Sequence, residues 1–185
     1  MTTAVSVRVM RPDEWPAARA VCIDAFDDPG IPPLLDALHS SWSWIDDLAF
    51  VAELVDQPGV LAGMVLFSNA FVDAPDRVVP VLVLSPVGVR PDLQRSGIGD
   101  KLIRHALASI AATRTEPLVF LEGHPSYYPR FGFRLAGELG FTAPSVRIPH
   151  RAFMAYLLPN YESSVRGALV YPDAFWRTDA VGLRP

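Results

Sequence analysis

The residues from Val81 to Ala112 read V-L-V-L-S-P-V-G-V-R-P-D-L-Q-R-S-G-I-G-D-K-L-I-R-H-A-L-A-S-I-A-A. Val81, Leu82, Val83 and Leu84 form an unbroken apolar run with β-branched residues at alternate positions, the pattern of a central strand covered on both faces. Pro86 lacks a ladder donor and Gly88 weakens the strand further on, so pairing with one neighbour is expected to fail between Ser85 and Gly88. Backbone groups there are then free to bind something else. From Gln94 to Gly99 the chain reads Q-R-S-G-I-G, and Leu102, Ile103, Ala106, Leu107 and Ile110 follow at helical spacing. A helix therefore opens on two glycines.

Without a Cβ at Gly97 and Gly99, a ligand can approach the backbone closely, and the first turn of the helix adds unpaired N–H groups and a positive dipole end. That combination suits a phosphate. The Walker pattern is absent, because it needs a wider glycine spacing closed by Lys-Ser or Lys-Thr, and only one G-x-G stands where the dinucleotide fingerprint needs G-x-G-x-x-G. Val87-Gly88-Val89, followed by Gln94-Arg95-Ser96-Gly97-Ile98-Gly99 and Asp100 at the head of an amphipathic helix, resembles the acetyl-CoA signature of the GCN5-related N-acetyltransferases, the GNAT superfamily. Taken alone, the same residues also read as a strand-to-helix turn without a ligand.

A second stretch narrows the choice. Leu118 to Glu122 is another apolar run, followed by G-H-P-S-Y-Y-P-R-F-G-F from Gly123 to Phe133. Its Y-x-x-F-G-F resembles the family's tyrosine four residues before a Gly-Phe pair, at the right distance after the glycine loop. The resemblance covers Val5 to Leu158 and is closest to a branch of acetyltransferases whose tail ends in a strand and a Tyr-Pro, here Tyr171-Pro172. It implies an α/β fold of the α+β type, with a mixed, mostly antiparallel central sheet, one parallel splayed strand pair and flanking helices. It also implies acetyl-CoA as co-substrate.

Composition excludes several function classes. A chain of 185 residues, half of them hydrophobic, suits one domain over residues 1–185, with 141–185 as a strand-containing extension packed on it. Lys plus Arg number 16 against 20 Asp plus Glu, a net charge of −4, so there is no basic field for nucleic acid. No apolar run reaches membrane-spanning length and no signal pattern stands at the N-terminus, which gives the expectation of a cytoplasmic protein without a membrane partner. Cys22 is the only cysteine, so an intrachain disulfide is excluded; it reads as a buried small hydrophobe rather than a nucleophile. His39, His105, His124 and His150 are scattered without metal-ligand spacing.

The remaining elements follow in order. Val5 to Met10 alternates as a first strand, Asp13 is a candidate cap for a helix from Glu14 to about Phe26, and Pro32-Pro33 opens another through Leu38. Ser41-Trp42-Ser43-Trp44 is either a binding surface or one anchoring and one half-exposed tryptophan. Phe50 to Val55 and Val60 to Phe67, joined by Asp56-Gln57-Pro58-Gly59, predict a hairpin, with Glu53 on its surface or in a pocket. The helix after Gly99 is long enough to be the crossover that makes Val81–Ser85 and Leu118–Glu122 parallel neighbours. Phe153 to Leu158 and Val165 to Tyr171 are further strands, edge strands there are candidates for a homodimer contact, and Trp176 to Pro185 reads as a mobile tail or interface arm.

Acetyl transfer to an amine requires an unprotonated nucleophile, stabilisation of an oxyanion, and a proton for the departing thiolate. By resemblance, transfer is direct, and Tyr128 falls where the family's general-acid tyrosine stands, with Tyr127 as its rival. His124 and Glu122 are the two candidate bases, and His124 also reads as a structural turn residue. Val87 and Val89 offer strand-like partners to a pantetheine arm while the amides of Gln94 to Gly99 hold the pyrophosphate. Arg95 and Lys101 add charge, Asp100 must face away from the phosphates, and Arg130 reads as a solvated surface residue. The alternatives are a non-catalytic acyl-CoA sensor or interaction module, and a transferase for another acyl group. The amine acceptor stays unidentified at this level.

Overall fold

The computed structural model describes residues 3–182. Nine strands form one twisted sheet: β1 (Val5–Val9), β2 (Trp44–Leu54), β3 (Leu61–Asp73), β4 (Val78–Val89), β5 (Leu118–Glu122), β6 (Arg134–Leu135), β7 (Phe141–Thr142), β8 (Phe153–Leu157) and β9 (Gly167–Val170). Its main order is β1-β2-β3-β4-β5-β8-β6, with β9 pairing β3 and β7. Two of its pairings are parallel: β4 with β5, and the two-residue contact of β7 with β9. Helices α1 (Trp15–Ala25), α2 (Ile31–His39) and α4 (Asp173–Arg177) cover one face, and α3 (Ile98–Thr113) covers the other. This is the mixed, mostly antiparallel α/β architecture expected from the motifs.

The apolar run of β4 explains the two layers. Val81 and Val83 point into the core shared with α1, α2 and α4, whereas Leu82 and Leu84 point into the core under α3. Alternation along a strand sends neighbours to opposite faces, so a strand between two helical layers must be apolar throughout. All four are nearly inaccessible to water, and each such side chain stabilises the fold by about 1.5–3 kcal/mol.

Pairing of β4 with β5 holds only at Leu82 with Val119 and Val83 with Phe120, while pairing with β3 continues to Val89 across a register shift between Val65 and Phe67. The two parallel strands part beyond that point, as Pro86 and Gly88 led us to expect. Gly88 has a second role: a Cβ there would stand 3.0 Å from Cys22 Cα and 3.2 Å from Ala25 Cβ, so its absence lets α1 lie against β4. Cys22 is completely buried in that contact, and burial pushes its thiol up to about 12, which fits a packing residue.

Two expectations are corrected. Asp13 does not cap α1: Pro12–Glu14 form a short 3-10 turn, and Glu14 precedes the helix. The Glu14 carboxylate instead accepts the Arg11 amide at 2.8 Å and the Arg8 guanidinium at 2.6 and 2.7 Å. Arg8 also binds Glu53, whose other oxygen takes the Gly59 amide of the hairpin turn. Glu53 is thus a structural carboxylate on the sheet surface, and Glu14 is drawn inward because the half-buried Arg8 needs a second anion. The described part of the supposed tail is ordered into the core: α4 leads to Val181, which has no exposed surface and packs with Ala174 and Phe175. Residues 183–185 of that tail lie outside the described residues. No described helix is long and apolar enough to cross a membrane.

Candidate functional site

The loop from Gln94 to Gly99 is built to leave its amides open. Arg95 and Gly97 both lie in the left-handed region, at φ 61° and 87°, and this αL geometry turns successive N–H groups to one side. The first helical ring closes only at the Lys101 amide on the Gly97 carbonyl, 3.1 Å, and among the described residues the amides of 95–100 have no hydrogen-bond partner. They face a groove of about 900 Å3 between the end of β4 and the start of α3. Gln94 straps the loop in place, its amide nitrogen reaching the carbonyls of Val89 at 3.1 Å and Ala25 at 3.4 Å. Ser96 does the same through the Leu93 carbonyl.

The floor of the groove is the freed edge of β4. The Arg90 amide is given to Ala62 of β3 at 2.9 Å, so strand alternation turns Gly88 and Arg90 toward β3 and Val87 and Val89 away from it. That outward side is the one β5 has left. Val89 keeps its amide for a ligand but has its carbonyl taken by Gln94, so Val87 is the residue with both backbone groups available.

Arg95, Lys101 and Arg130 line the groove against one acidic residue, Asp100. The Asp100 carboxylate is turned to Arg104 at 2.8 Å, the outward orientation required of it. Arg130 is exposed, as the surface reading has it, and also lines the groove. Its guanidinium lies 4.7 Å over the Tyr127 ring, which holds the charge at the groove wall. Only the Tyr-x-x-Arg spacing on one short turn hinted at this.

The two tyrosines divide. Tyr127 lines the groove, where a Cβ on Gly99 would stand 3.1 Å from its hydroxyl. Tyr128 lies deeper, flat against Gly123 at the end of β5, so close that a Cβ there would overlap the ring. Phe131 and Phe133 pack around it, and burial together with Tyr127 pushes its phenol up to about 12.

A second cavity, of about 590 Å3, adjoins the same fork through Ser85 on β4 and Glu122 and Gly123 on β5. Glu122 is half-buried, and burial raises its pKa, opposed by the Gly182 amide on its Oε2 at 3.2 Å and by the charge of Arg147. His124 lies at the exposed mouth. Its Nδ1 accepts the Ser126 amide at 3.3 Å and lies 2.9 Å from the Ser126 hydroxyl, while the ring lines the cavity. The second cavity therefore brings Glu122 and His124 of the second motif together, with the Tyr128 ring against Gly123 of the same lining, while Val87 of the first motif lines the groove. Gly182 and Tyr171 complete the Glu122 surroundings; Tyr171 belongs to the Tyr-Pro of the tail, whereas Gly182 carries no local sequence signal. Among the described residues no group of side chains could hold a metal ion.

Comparison with known proteins agrees with this geometry. The family model described as "Acetyltransferase (GNAT) domain" matches residues 6–136. An uncharacterised N-acetyltransferase of Escherichia coli K12, YjhQ, is 34% identical over 87 residues, 46% of this chain and 48% of that protein. The match thus spans about half the length of that curated relative. Among solved structures, a GNAT family N-acetyltransferase of Escherichia coli, YhbS, in complex with CoA superposes with a TM-score of 0.82 at 22% identity, covering 96% of this chain and 94% of that one. At that identity the likeness concerns the fold. A GNAT family acetyltransferase of Brucella melitensis in complex with acetyl-CoA gives a TM-score of 0.71 at 26% identity, covering 94% and 99%.

Proposed function

The chain belongs to the GNAT acetyltransferase family, and on that premise we propose that it moves an acetyl group from acetyl-CoA directly to a primary amine within a ternary complex. The observation that carries the reading is the run of unpartnered amides at residues 95–100, opening onto a groove that ends where β4 and β5 part. The acetyl-CoA held by the Brucella melitensis relative supports the same ligand here.

In this reading the loop amides and the first turn of α3 hold the pyrophosphate, with Arg95, Lys101 and Arg130 supplying countercharge. Val87 and the Val89 amide pair with the pantetheine arm as a missing strand would, which delivers the thioester to the fork. Glu122 takes a proton from the incoming ammonium. The freed amine attacks the acetyl carbon, the carbon–sulfur bond breaks, and the departing sulfur is met by the Tyr128 hydroxyl. A phenol pushed up to about 12 keeps its proton at neutral pH, so it is present as a donor whenever negative charge develops on sulfur. The new amide nitrogen sheds its remaining extra proton to solvent. Direct transfer also agrees with the burial of Cys22, the only thiol.

The test combines calorimetric titration of acetyl-CoA, free CoA and a longer acyl-CoA with an amine-dependent assay of CoA release. Saturable binding and release support transfer, and a preference for the longer chain would reassign the acyl group. Binding without release for any amine would favour an acyl-CoA sensor. No binding at millimolar ligand removes the reading altogether. Tyr128→Phe is expected to lower kcat by about 10²-fold or more with acetyl-CoA affinity nearly unchanged; an unaltered rate takes Tyr128 out of the mechanism.

A further inference from the structure

The two cavities at the fork have opposite chemistry. The donor groove carries three cationic side chains, but among the described residues the second cavity is lined by the carboxylates of Asp28, Glu122 and Asp179 and by no lysine or arginine. Asp179 is engaged by Arg147 at 3.2 Å, and Asp28 receives the Gly30 amide at 2.8 Å, so both side chains are held in place around the opening. Glu122 keeps one oxygen outside its bond to Gly182. The wall opposite is apolar: Ile31 and Leu34 come from α2, Phe175 from α4 and Tyr171 from the segment before it, all buried. Its volume of about 590 Å3 is that of a small-molecule site rather than of a protein surface groove.

These walls sort acceptors by charge and by shape. An ammonium entering at Glu122 meets a carboxylate and can lose its proton there. A carboxylate on the same molecule would meet Asp28 and Glu122, with the one nearby cation, Arg147, already paired to Asp179, and like charges so placed cost several kcal/mol. A second ammonium reaching the far wall would be stripped of water against Ile31, Leu34 and Phe175, with the Tyr171 hydroxyl the one side-chain acceptor that this wall offers. A hydrocarbon body is favoured on that wall. Resting on the transfer reading above, we propose that the acceptor is an arylalkyl- or alkylamine, a primary amine with an apolar body and no carboxylate, seated with its nitrogen at Glu122 and its body against Ile31, Leu34 and Phe175.

The experiment measures CoA release with phenethylamine, phenylalanine and putrescine on the intact protein, with acetyl-CoA binding titrated separately. Phenethylamine is expected to exceed phenylalanine in kcat/KM by at least ~100-fold, the penalty for an unanswered carboxylate, and to exceed putrescine by at least ~10-fold. In Thr178→Arg, which places a cation on the cavity lining at the end of α4, the first ratio should narrow about tenfold while acetyl-CoA affinity holds. Equal or better use of phenylalanine or putrescine, an unchanged ratio in the variant, or acetyl-CoA binding with no release from any of the three would overturn the acceptor assignment while leaving donor binding intact. Failure to bind acetyl-CoA would instead overturn the transfer reading on which it stands.

Discussion

The donor groove and the acceptor cavity meet at one fork in the sheet, yet they are made of different material. The groove is written in consecutive residues and works through backbone: six amides from 95–100, a freed strand edge at Val87, and a helix end. The cavity is assembled from five separated stretches and works through side chains, among them Leu34, Glu122, Tyr171 and Phe175. A site made of amides depends on dihedral angles and tolerates many side chains. A site made of side chains depends on identity and can be recast without disturbing the first. One fold can therefore keep its donor while changing its acceptor.

That contrast predicts that damage to one half should leave the other measurable. The largest effect is expected from Glu122→Gln, which should lower kcat by about 10³-fold with acetyl-CoA affinity unchanged. The same variant tests pH dependence. Burial raises the Glu122 pKa, so the protonated, inactive form persists to higher pH than for an ordinary carboxylate, and the acid limb of kcat/KM should lie above the usual carboxylate range. That limb should vanish in the variant; its survival would mean another group is the base. Next comes Gly97→Val, which forces a β-branched residue to φ 87°. It should weaken acetyl-CoA about 10- to 30-fold by titration, with kcat at saturation preserved.

Smaller effects sharpen the division. Val181→Ala removes buried methyl groups under the acceptor wall and should cost about 1 kcal/mol in denaturant unfolding. The KM for the amine should rise several-fold while acetyl-CoA binding stays as it was. A parallel loss of acetyl-CoA affinity would break the comparison, because the two halves would then be mechanically coupled. Arg130→Ala should be mildest, a three- to fivefold weaker acetyl-CoA with a shallower dependence on salt. Arg8→Met provides a control remote from both halves. The Arg8 guanidinium holds the Glu14 carboxyl down at about 2, so its contribution to stability is present above the unfolded carboxylate value near ~4.3 and is lost as pH falls toward 2. Stability at neutral pH should drop by about 2 kcal/mol without a change in either ligand's binding.

The same division explains what the sequence made legible. Val81–Leu84, the two loop glycines and the crossover helix announced themselves because strand, turn and helix signals are local, and their order implied the parallel pair. The Tyr128 motif was equally local. The wall formed by Tyr171, Phe175 and Val181 was not, because residues 176–182 show no periodicity and owe their place to contacts with residues far earlier in the chain. The bond from the Gly182 amide to Glu122 spans 60 positions. Arg130 is the exposed residue it was read as, but its place over the Tyr127 ring was not legible, since such a cation looks, in one dimension, like any surface arginine. Asp13 was read as a cap because the pull of Arg8 on Glu14, from a neighbouring strand, is invisible to a local rule.

The contact between the Tyr128 ring and Gly123 makes the glycine a seat for the phenol. Any side chain at position 123 would meet that ring, so a substitution there must push the ring, and the hydroxyl it carries, out of its place at the end of β5. A hydrogen atom at one position thus sets where a hydroxyl five residues later can stand.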